Sequence, residues 1–245
     1  MVNALRGAHE LFSASADSNV FCWDAETLQR RPCRPMSHPG AKIYCMAGTQ
    51  NLLFTGSADR SIRVWDTRAG GDGPAAVMQG HTRSVWSLKV PPAALGEHAL
   101  LSAGNCGNVN LWDLRTWKAR VTMNYENNEA LSVDCSADGR VVFAGSSTSK
   151  IYAFDAVTGE MRARLSGHQW EVWQLESVAL APGCAPLLAS GSYDHTVGLW
   201  APEAPFALRK TLAGHKGAVH SLRALGGKLF SGSGDKSVRV WGEAE

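Results

Sequence analysis

The sequence predicts an all-β protein: a ring of six repeated four-stranded antiparallel sheets, here called blades 1 to 6. Six segments of the 245-residue chain end on a Trp or Phe, near residues 24, 66, 113, 155, 201 and 242, at intervals of 41 to 47 residues. Between these ends, short runs with alternating apolar and polar residues are separated by Gly, Asp and Pro. A fixed period of about 20–50 residues is typical of a repeat architecture. Residues 1–245 are therefore predicted to form a single domain.

The last period shows the repeated unit most clearly. Residues 218–222, 229–233 and 237–241 alternate in polarity and are predicted as three strands joined by the turns at 226–227 and 234–236. Residues 208–212 supply the fourth strand of the preceding unit. Because a twisted four-stranded sheet cannot bury both faces alone, such units stack side by side around an axis, as in a β-propeller.

The pattern predicts 23 strands, because blade 1 begins at residue 2 and the sequence stops after the third strand of blade 6. Blade 6 is therefore expected to lack its outer strand. Three arrangements are open at this stage. The ring could close with one short blade, the chain could belong to a larger, seven-bladed propeller, or a partner could donate the strand by β-augmentation. The start at a strand favours the second.

Composition excludes several classes of protein. The net charge is +2 and no basic stripe is present, so no nucleic-acid partner is expected. Neither a signal peptide nor a transmembrane segment is evident, so we expect a cytoplasmic protein, with the nucleus as the alternative, that is neither secreted nor membrane-bound. The six scattered cysteines form no Cys-x-x-Cys pair, which argues against a metal site. No cofactor motif is present, and neither a cofactor nor a small-molecule ligand is expected.

The repeat resembles that of the WD-repeat (WD40) β-propeller family over nearly the whole chain. The matching features are the pairs Gly80-His81, Gly167-His168 and Gly214-His215 and endings such as Thr55-Gly56-Ser57-Ala58-Asp59 followed by Trp65-Asp66. The resemblance implies a buried hydrogen-bonded set of His, Ser or Thr, Asp and Trp within a blade. The implied members are His38, Asp59 and Trp65; His168, Asp194 and Trp200; and His215, Asp235 and Trp241. The hydroxyl of each set is either Thr55 or Ser57, Ser190 or Ser192, and Ser231 or Ser233.

These Ser-His-Asp sets do not indicate a hydrolase. A catalytic triad occurs once, beside an oxyanion hole, whereas this set recurs in three blades. We therefore expect no catalytic residues and no enzyme activity. Blade 3 has Cys106 in place of the Asp, and blade 4 has Thr148 and Phe154 in place of the Asp and Trp and has no Gly-His pair. Blade 4 is accordingly expected to be the least rigid.

The resemblance also implies where a partner binds: at the residue before each turn Asp and at the start of each first strand. The residues selected in this way are Tyr44, Trp86, Asn105, Glu171, Trp173, Tyr193 and His220. Exposed Trp and Tyr are common in binding hot spots. No Arg is among these residues, which disfavours a phosphorylated ligand, and Glu129 and Glu171 favour a peptide carrying Lys or Arg. The alternative is that Trp86 and Trp173 only pack between blades.

The predicted function is a non-catalytic scaffold that binds one or several protein or peptide partners through the ring face. One alternative is the substrate- or cargo-recognition propeller of a larger protein of the ubiquitin-ligase or motor type. Another is an enzyme built on a propeller, for which a cluster of carboxylates or histidines at one ring face would be needed. The sequence shows no such cluster outside the repeated sets.

Overall fold

The computed structural model describes residues 2–6, 10–31, 33, 35–68, 73–124, 128–179 and 185–242. Within these residues it contains 23 strands in six antiparallel sheets, which confirms the predicted six-bladed, all-β propeller. Outside the strands lies a short 3-10 helix, Ala93–Leu95. Over the same residues, no helix has the length and apolar character required to cross a bilayer.

In each blade the strands are paired in chain order, and blades 1 to 5 contain four strands. Blade 1 consists of β1 (Val2–Arg6), β2 (Glu10–Ser15), β3 (Asn19–Asp24) and β4 (Met36–Ser37); blade 2 of β5 (Ile43–Gly48), β6 (Leu52–Ser57), β7 (Ile62–Asp66) and β8 (Ala76–Met78); and blade 3 of β9 (Val85–Lys89), β10 (Ala99–Gly104), β11 (Asn108–Asp113) and β12 (Lys118–Asn124). Blade 4 consists of β13 (Ala130–Cys135), β14 (Val141–Ser146), β15 (Lys150–Asp155) and β16 (Met161–Ser166); blade 5 of β17 (Val172–Val178), β18 (Leu187–Ser192), β19 (Val197–Trp200) and β20 (Leu208–Leu212); and blade 6 of β21 (Val219–Leu225), β22 (Lys228–Ser233) and β23 (Val238–Trp241).

The apolar core lies between neighbouring blades. Phe54 and Val64 of blade 2 pack in one cluster with Val85, Leu88 and Trp112 of blade 3. Successive side chains along a strand point to opposite faces of its sheet. A blade that has a neighbouring blade on each face therefore contributes apolar side chains to two core clusters. The outermost strands β12, β16 and β20 face solvent along most of their length and carry Lys and Arg, as edge strands commonly do.

Blade 6 is uncovered on the face that in other blades contacts the following blade. In blade 5, Val197 and Leu199 are buried in a cluster with Val219 of blade 6. The equivalent residues of blade 6, Val238 and Val240, are 71% and 54% exposed. The third strand of blade 6 is thus the sheet edge, and its apolar side chains are exposed.

Burial argues for more protection of blade 4 than its missing polar set led us to expect. Its first two strands, β13 and β14, are buried at every residue, whereas β23 of blade 6 has three exposed residues out of four. Blade 4 substitutes apolar contacts for the missing polar set, since Tyr152 and Phe154 are almost fully buried. Replacing a buried polar network by well-packed apolar groups is often neutral or stabilising.

Candidate protein-binding face

One residue in the first strand of each of blades 2 to 6 has no partner in the second strand. The register shifts leave this residue as a β-bulge between two paired neighbours; the five bulge residues are Tyr44, Trp86, Leu131, Trp173 and His220. A bulge bends the strand and redirects a side chain, and bulges are frequent beside functional sites. The bulges therefore place one side chain per blade at equivalent positions around the ring.

A backbone hydrogen bond shared by the same five blades lies beside each bulge. The residue before the turn Asp, or its equivalent, donates to the carbonyl two residues before the bulge residue. The pairs are Ala58 to Lys42, Asn105 to Ser84, Ser147 to Glu129, Tyr193 to Glu171 and Gly234 to Ala218, at 2.9 to 3.2 Å. All these positions thus belong to one end of the ring, which we call the bulge face.

Aromatic side chains form a continuous row on the bulge face. The ring of Tyr44 stacks on Trp86 with 5.3 Å between centroids, and Trp86 contacts Trp173 at 5.9 Å. Trp173 meets His220 edge-on at 5.9 Å, and Tyr193 meets the same imidazole at 6.0 Å. The bulge residue of blade 4, between blades 3 and 5, is the buried Leu131, so no aromatic side chain of blade 4 separates the two indoles.

Four polar atoms of the bulge face are shielded from water and have no hydrogen-bond partner among the described residues. They are the indole nitrogens of Trp86 and Trp173, Oδ1 of Asn105 and Oε2 of Glu171. Buried polar groups are normally paired, and each unpaired group costs about 1–3 kcal/mol. Two donors and two acceptors of the bulge face therefore lack a hydrogen-bond partner among the described residues.

The bulge face contains all seven predicted partner-binding residues. Tyr193 and His220 are exposed there, with Tyr193 at 47%, whereas the other five are half-buried. Trp86 and Trp173 also contact each other and the neighbouring rings Tyr44 and His220. Both indoles therefore pack between blades as well as lying on the bulge face. Beside Tyr193, Trp170 is 59% exposed, and its carbonyl accepts a hydrogen bond from Ser192.

The predicted polar sets form a hydrogen-bonded chain in three blades. In blade 5, His168 contacts Asp194 through Nδ1 at 2.8 Å and Ser190 through Nε2 at 2.7 Å, and Trp200 donates to the Ser190 hydroxyl at 2.7 Å. Blades 2 and 6 repeat the chain with His38, Asp59, Thr55 and Trp65 and with His215, Asp235, Ser231 and Trp241. The hydroxyl is thus the first of the two candidates in each blade. It is buried in all three, so it is shielded from a substrate in solvent.

The electrostatic environment of Asp194 agrees with a structural role for the carboxylate of the polar set. Burial alone would raise the pKa of Asp194, but hydrogen bonds from His168, Thr196 and the backbone of Gln169 hold that pKa well below its usual range. The carboxylate ties the turn before the third strand to the start of the blade, and this keeps the blade's end in one geometry.

Blade 3 carries a modified set in which a thiol replaces the carboxylate. Cys106 Sγ lies 3.4 Å from His81 Nδ1, and His81 Nε2 lies 2.7 Å from the Ser102 hydroxyl, which also accepts from Trp112. Burial acts to raise the pKa of Cys106, but the hydrogen bond and charge of His81, with two backbone N–H groups, lower it to about 6. A thiolate is the nucleophilic form of cysteine, so we expect Cys106 to react more readily than an ordinary thiol.

An ion network that the sequence analysis did not predict joins blades 3, 4, 5 and 6. Lys89 Nζ lies 2.8 Å from Asp134 Oδ2 and 3.1 Å from Glu176 Oε2, and Arg223 of blade 6 lies 3.5 Å from Glu176. All four residues stand three positions after a bulge residue. The charged residues at this repeated position could have indicated the network, but the sequence did not show which of the four side chains are in contact. Among the described residues, no three His, Cys, Asp or Glu side chains are grouped as a metal site requires.

The chain belongs to the WD-repeat family. The family described as "WD domain, G-beta repeat" matches residues 31–66, 73–113, 159–201 and 206–242, more than half of the chain. Each segment ends at or next to the end of the third strand of blade 2, 3, 5 or 6, and the four segments leave out most of blade 4, where the polar set is missing. Membership accounts for the repeat period and for the sets of His, hydroxyl, Asp and Trp.

Three relatives illustrate the similarity. Periodic tryptophan protein 2 of Arabidopsis thaliana is 30% identical over 79% of this chain and 21% of its own length. Nuclear distribution protein PAC1 of Arthroderma otae is 26% identical over 96% of this chain and 47% of its own length. Kinesin-like protein KIF21B of Homo sapiens is 25% identical over 81% of this chain and 13% of its own length. The chain thus spans less than half of each of these relatives.

Proposed function

We propose that this protein is a non-catalytic scaffold that binds a protein or peptide partner through the bulge face. The observation that carries the proposal is the aromatic row from Tyr44 to Tyr193 together with the unpaired polar atoms at its centre. Large aromatic side chains such as Trp and Tyr are typical of interface hot spots. We also propose that residues 1–245 act as one domain in the cytoplasm, with the nucleus as the alternative.

A second candidate is a recognition propeller within a larger protein. The supporting observation is that the chain matches only 13% of the length of a relative named as kinesin-like, so a similar propeller can be one part of a motor-type protein. The bulge face would then select the cargo or substrate of that larger protein. Both candidates use the same binding surface.

The test compares two variants of the bulge face with a matched control. Tyr193→Ala removes a side chain that is 47% exposed on the bulge face, and Met161→Ala removes one that is 46% exposed on the outer strand of blade 4. We expect affinity purification with mass spectrometry to show partners of the wild type that are lost with Tyr193→Ala and kept with Met161→Ala. Thermal unfolding should show both variants close to the wild type, because neither side chain is buried.

Trp173→Ala separates binding from packing. The indole contacts Trp86 and His220 and is half-buried, so its loss should lower stability by about 1–2 kcal/mol while eliminating the same partners as Tyr193→Ala. If partner binding survives both substitutions, the bulge face is not the binding surface. A loss of binding that appears only with Trp173→Ala, together with a large fall in melting temperature, would support the packing interpretation.

A further inference from the structure

Glu171 is the residue of the bulge face whose chemistry says most about the partner. Its backbone carbonyl is already bonded to Tyr193, but Oε2 of its side chain is shielded from water and accepts no hydrogen bond within the described part of the chain. A shielded carboxylate oxygen without a donor is unfavourable, since it has lost hydration without replacement. Rotating this side chain toward a ligand would break no hydrogen bond at Oε2, so the group is free to pair with an incoming donor.

The surroundings of Glu171 favour a cation as that donor. Two residues further along is Trp173, whose ring contacts Trp86, and the faces of indole rings attract ammonium and guanidinium groups. Oδ1 of Asn105, on the blade that carries Trp86, is a second acceptor without a donor. A carboxylate, an amide oxygen and two indoles together match the requirements of a basic side chain.

The distribution of charged residues on the bulge face also favours a cation near Glu171. The positions equivalent to Glu171 in blades 2, 3, 4 and 6 are, in that order, Lys42, Ser84, Glu129 and Ala218. The two carboxylates therefore occupy adjacent blades 4 and 5, whereas the lysine lies on blade 2. A positive group is attracted to the Glu129 and Glu171 side of the bulge face and is kept from the blade 2 side.

The unpaired indole N–H groups indicate what surrounds the cation. Trp86 and Trp173 each have an indole donor without an acceptor, and the carbonyl groups of an extended peptide would supply acceptors once a rotation of the indoles on binding exposed these N–H groups. We propose that the bulge face binds a peptide segment through a basic side chain, with arginine preferred, placed against Glu171 and the indoles of Trp86 and Trp173. Arginine is preferred because its planar guanidinium stacks on an aromatic face while donating to a carboxylate. This inference rests on the proposed function and names the chemistry of its partner.

The experiment begins with selection of a phage-displayed random 12-residue peptide library on the immobilised wild-type protein. We expect the selected peptides to share an arginine or lysine. One such peptide is then synthesised with its basic residue as arginine, lysine or citrulline, which has the shape of arginine without the charge. Affinities are measured by fluorescence anisotropy against the wild type, Glu171→Gln, Trp173→Ala and the control Glu97→Gln, whose carboxylate is exposed in a loop between β9 and β10.

The expected result is a double-mutant cycle with strong coupling. Replacing arginine by citrulline should weaken binding about tenfold or more on the wild type and on Glu97→Gln, but less than about twofold on Glu171→Gln. Trp173→Ala should weaken all three peptides. The lysine peptide should bind more weakly than the arginine peptide, and equal affinity would assign the site to any basic side chain.

The outcomes that overturn the inference differ from those that overturn the proposed function. If the selected peptides need Trp173 but lack a basic residue, or if the citrulline penalty is unchanged on Glu171→Gln, the bulge face binds peptides but the basic-side-chain site is wrong. If no peptide is selected, or if the selected peptides bind Trp173→Ala and Tyr193→Ala as tightly as the wild type, both proposals are wrong. Thermal unfolding of Glu171→Gln should match the wild type and thereby exclude a folding defect.

Discussion

Replacing Lys89 by Met should destabilise the ring far more than the loss of an ordinary lysine. The ammonium lies between Asp134 and Glu176, whose side chains are 1% and 8% exposed, and each belongs to a different blade. Removing one partner of a buried ion pair costs about 3–5 kcal/mol, because a desolvated charge is left unpaired. Arg223 still contacts Glu176, but it is largely exposed, so we expect the low end of that range, about 3 kcal/mol.

The defect of Lys89→Met should depend on pH in a defined direction. Burial raises the pKa of Asp134 even with Lys89 beside it, and without the ammonium that pKa rises further. For a carboxyl group with a raised pKa in the folded state, protonation stabilises the fold. That stabilisation is complete below the unfolded pKa, near 4, and is lost as the pH rises through the folded pKa. The deficit should therefore be largest near pH 7 and should shrink as the pH is lowered towards 5.

Urea unfolding followed by tryptophan fluorescence at several pH values measures both effects. Lys118→Met is the matched control, because Lys118 is exposed on the outer strand of blade 3, and its effect should stay below about 0.5 kcal/mol. A loss of less than about 1 kcal/mol for Lys89→Met at pH 7, or a larger loss that is the same at pH 5, would refute the argument that two buried carboxylates depend on this ammonium.

Three further predictions concern individual blades. Asp194→Ala should cost about 2 kcal/mol in urea unfolding because it leaves His168 without its carboxylate. Asp17→Ala should cost clearly less, because the Asp17 carboxylate accepts a hydrogen bond from the backbone N–H of Asn19 within a turn of blade 1. Alkylation of Cys106 by iodoacetamide should rise with pH around a midpoint of about 6 and should move to higher pH in His81→Ala; a midpoint unaffected by His81→Ala would contradict the assigned cause. Amide hydrogen exchange should be slower in β13 and β14 than in β23, and the opposite order would show that burial does not govern protection here.

The sequence predicted those features that depend on repetition. The phase of Trp65, Trp200 and Trp241 located the blades, because one supersecondary unit at a fixed period leaves little freedom in the fold. The same phase located His168, Asp194 and their equivalents, whose spacing is set by turns within a single blade. It also placed Tyr193 and Trp173 at one ring end, since residues at equal phase occupy equal positions in successive blades.

The features that depend on contacts between blades came from the tertiary structure. Lys89, Asp134 and Glu176 are 45 and 42 residues apart in sequence, and only the angle between neighbouring blades brings the three charges together. The expected protection of blade 4 changes for a related reason, since the sequence showed the missing polar set but not the burial of β13 and β14.

The same distinction holds for the binding face. The sequence by itself determined that aromatic and acidic residues occupy one ring end, because strand phase decides the end at which a side chain lies. Only the tertiary structure showed that Trp86 and Trp173 are in contact and that Oε2 of Glu171 has no donor among the described residues. Phase is a property of the local chain, whereas contact and desolvation arise when residues from different blades pack against one another.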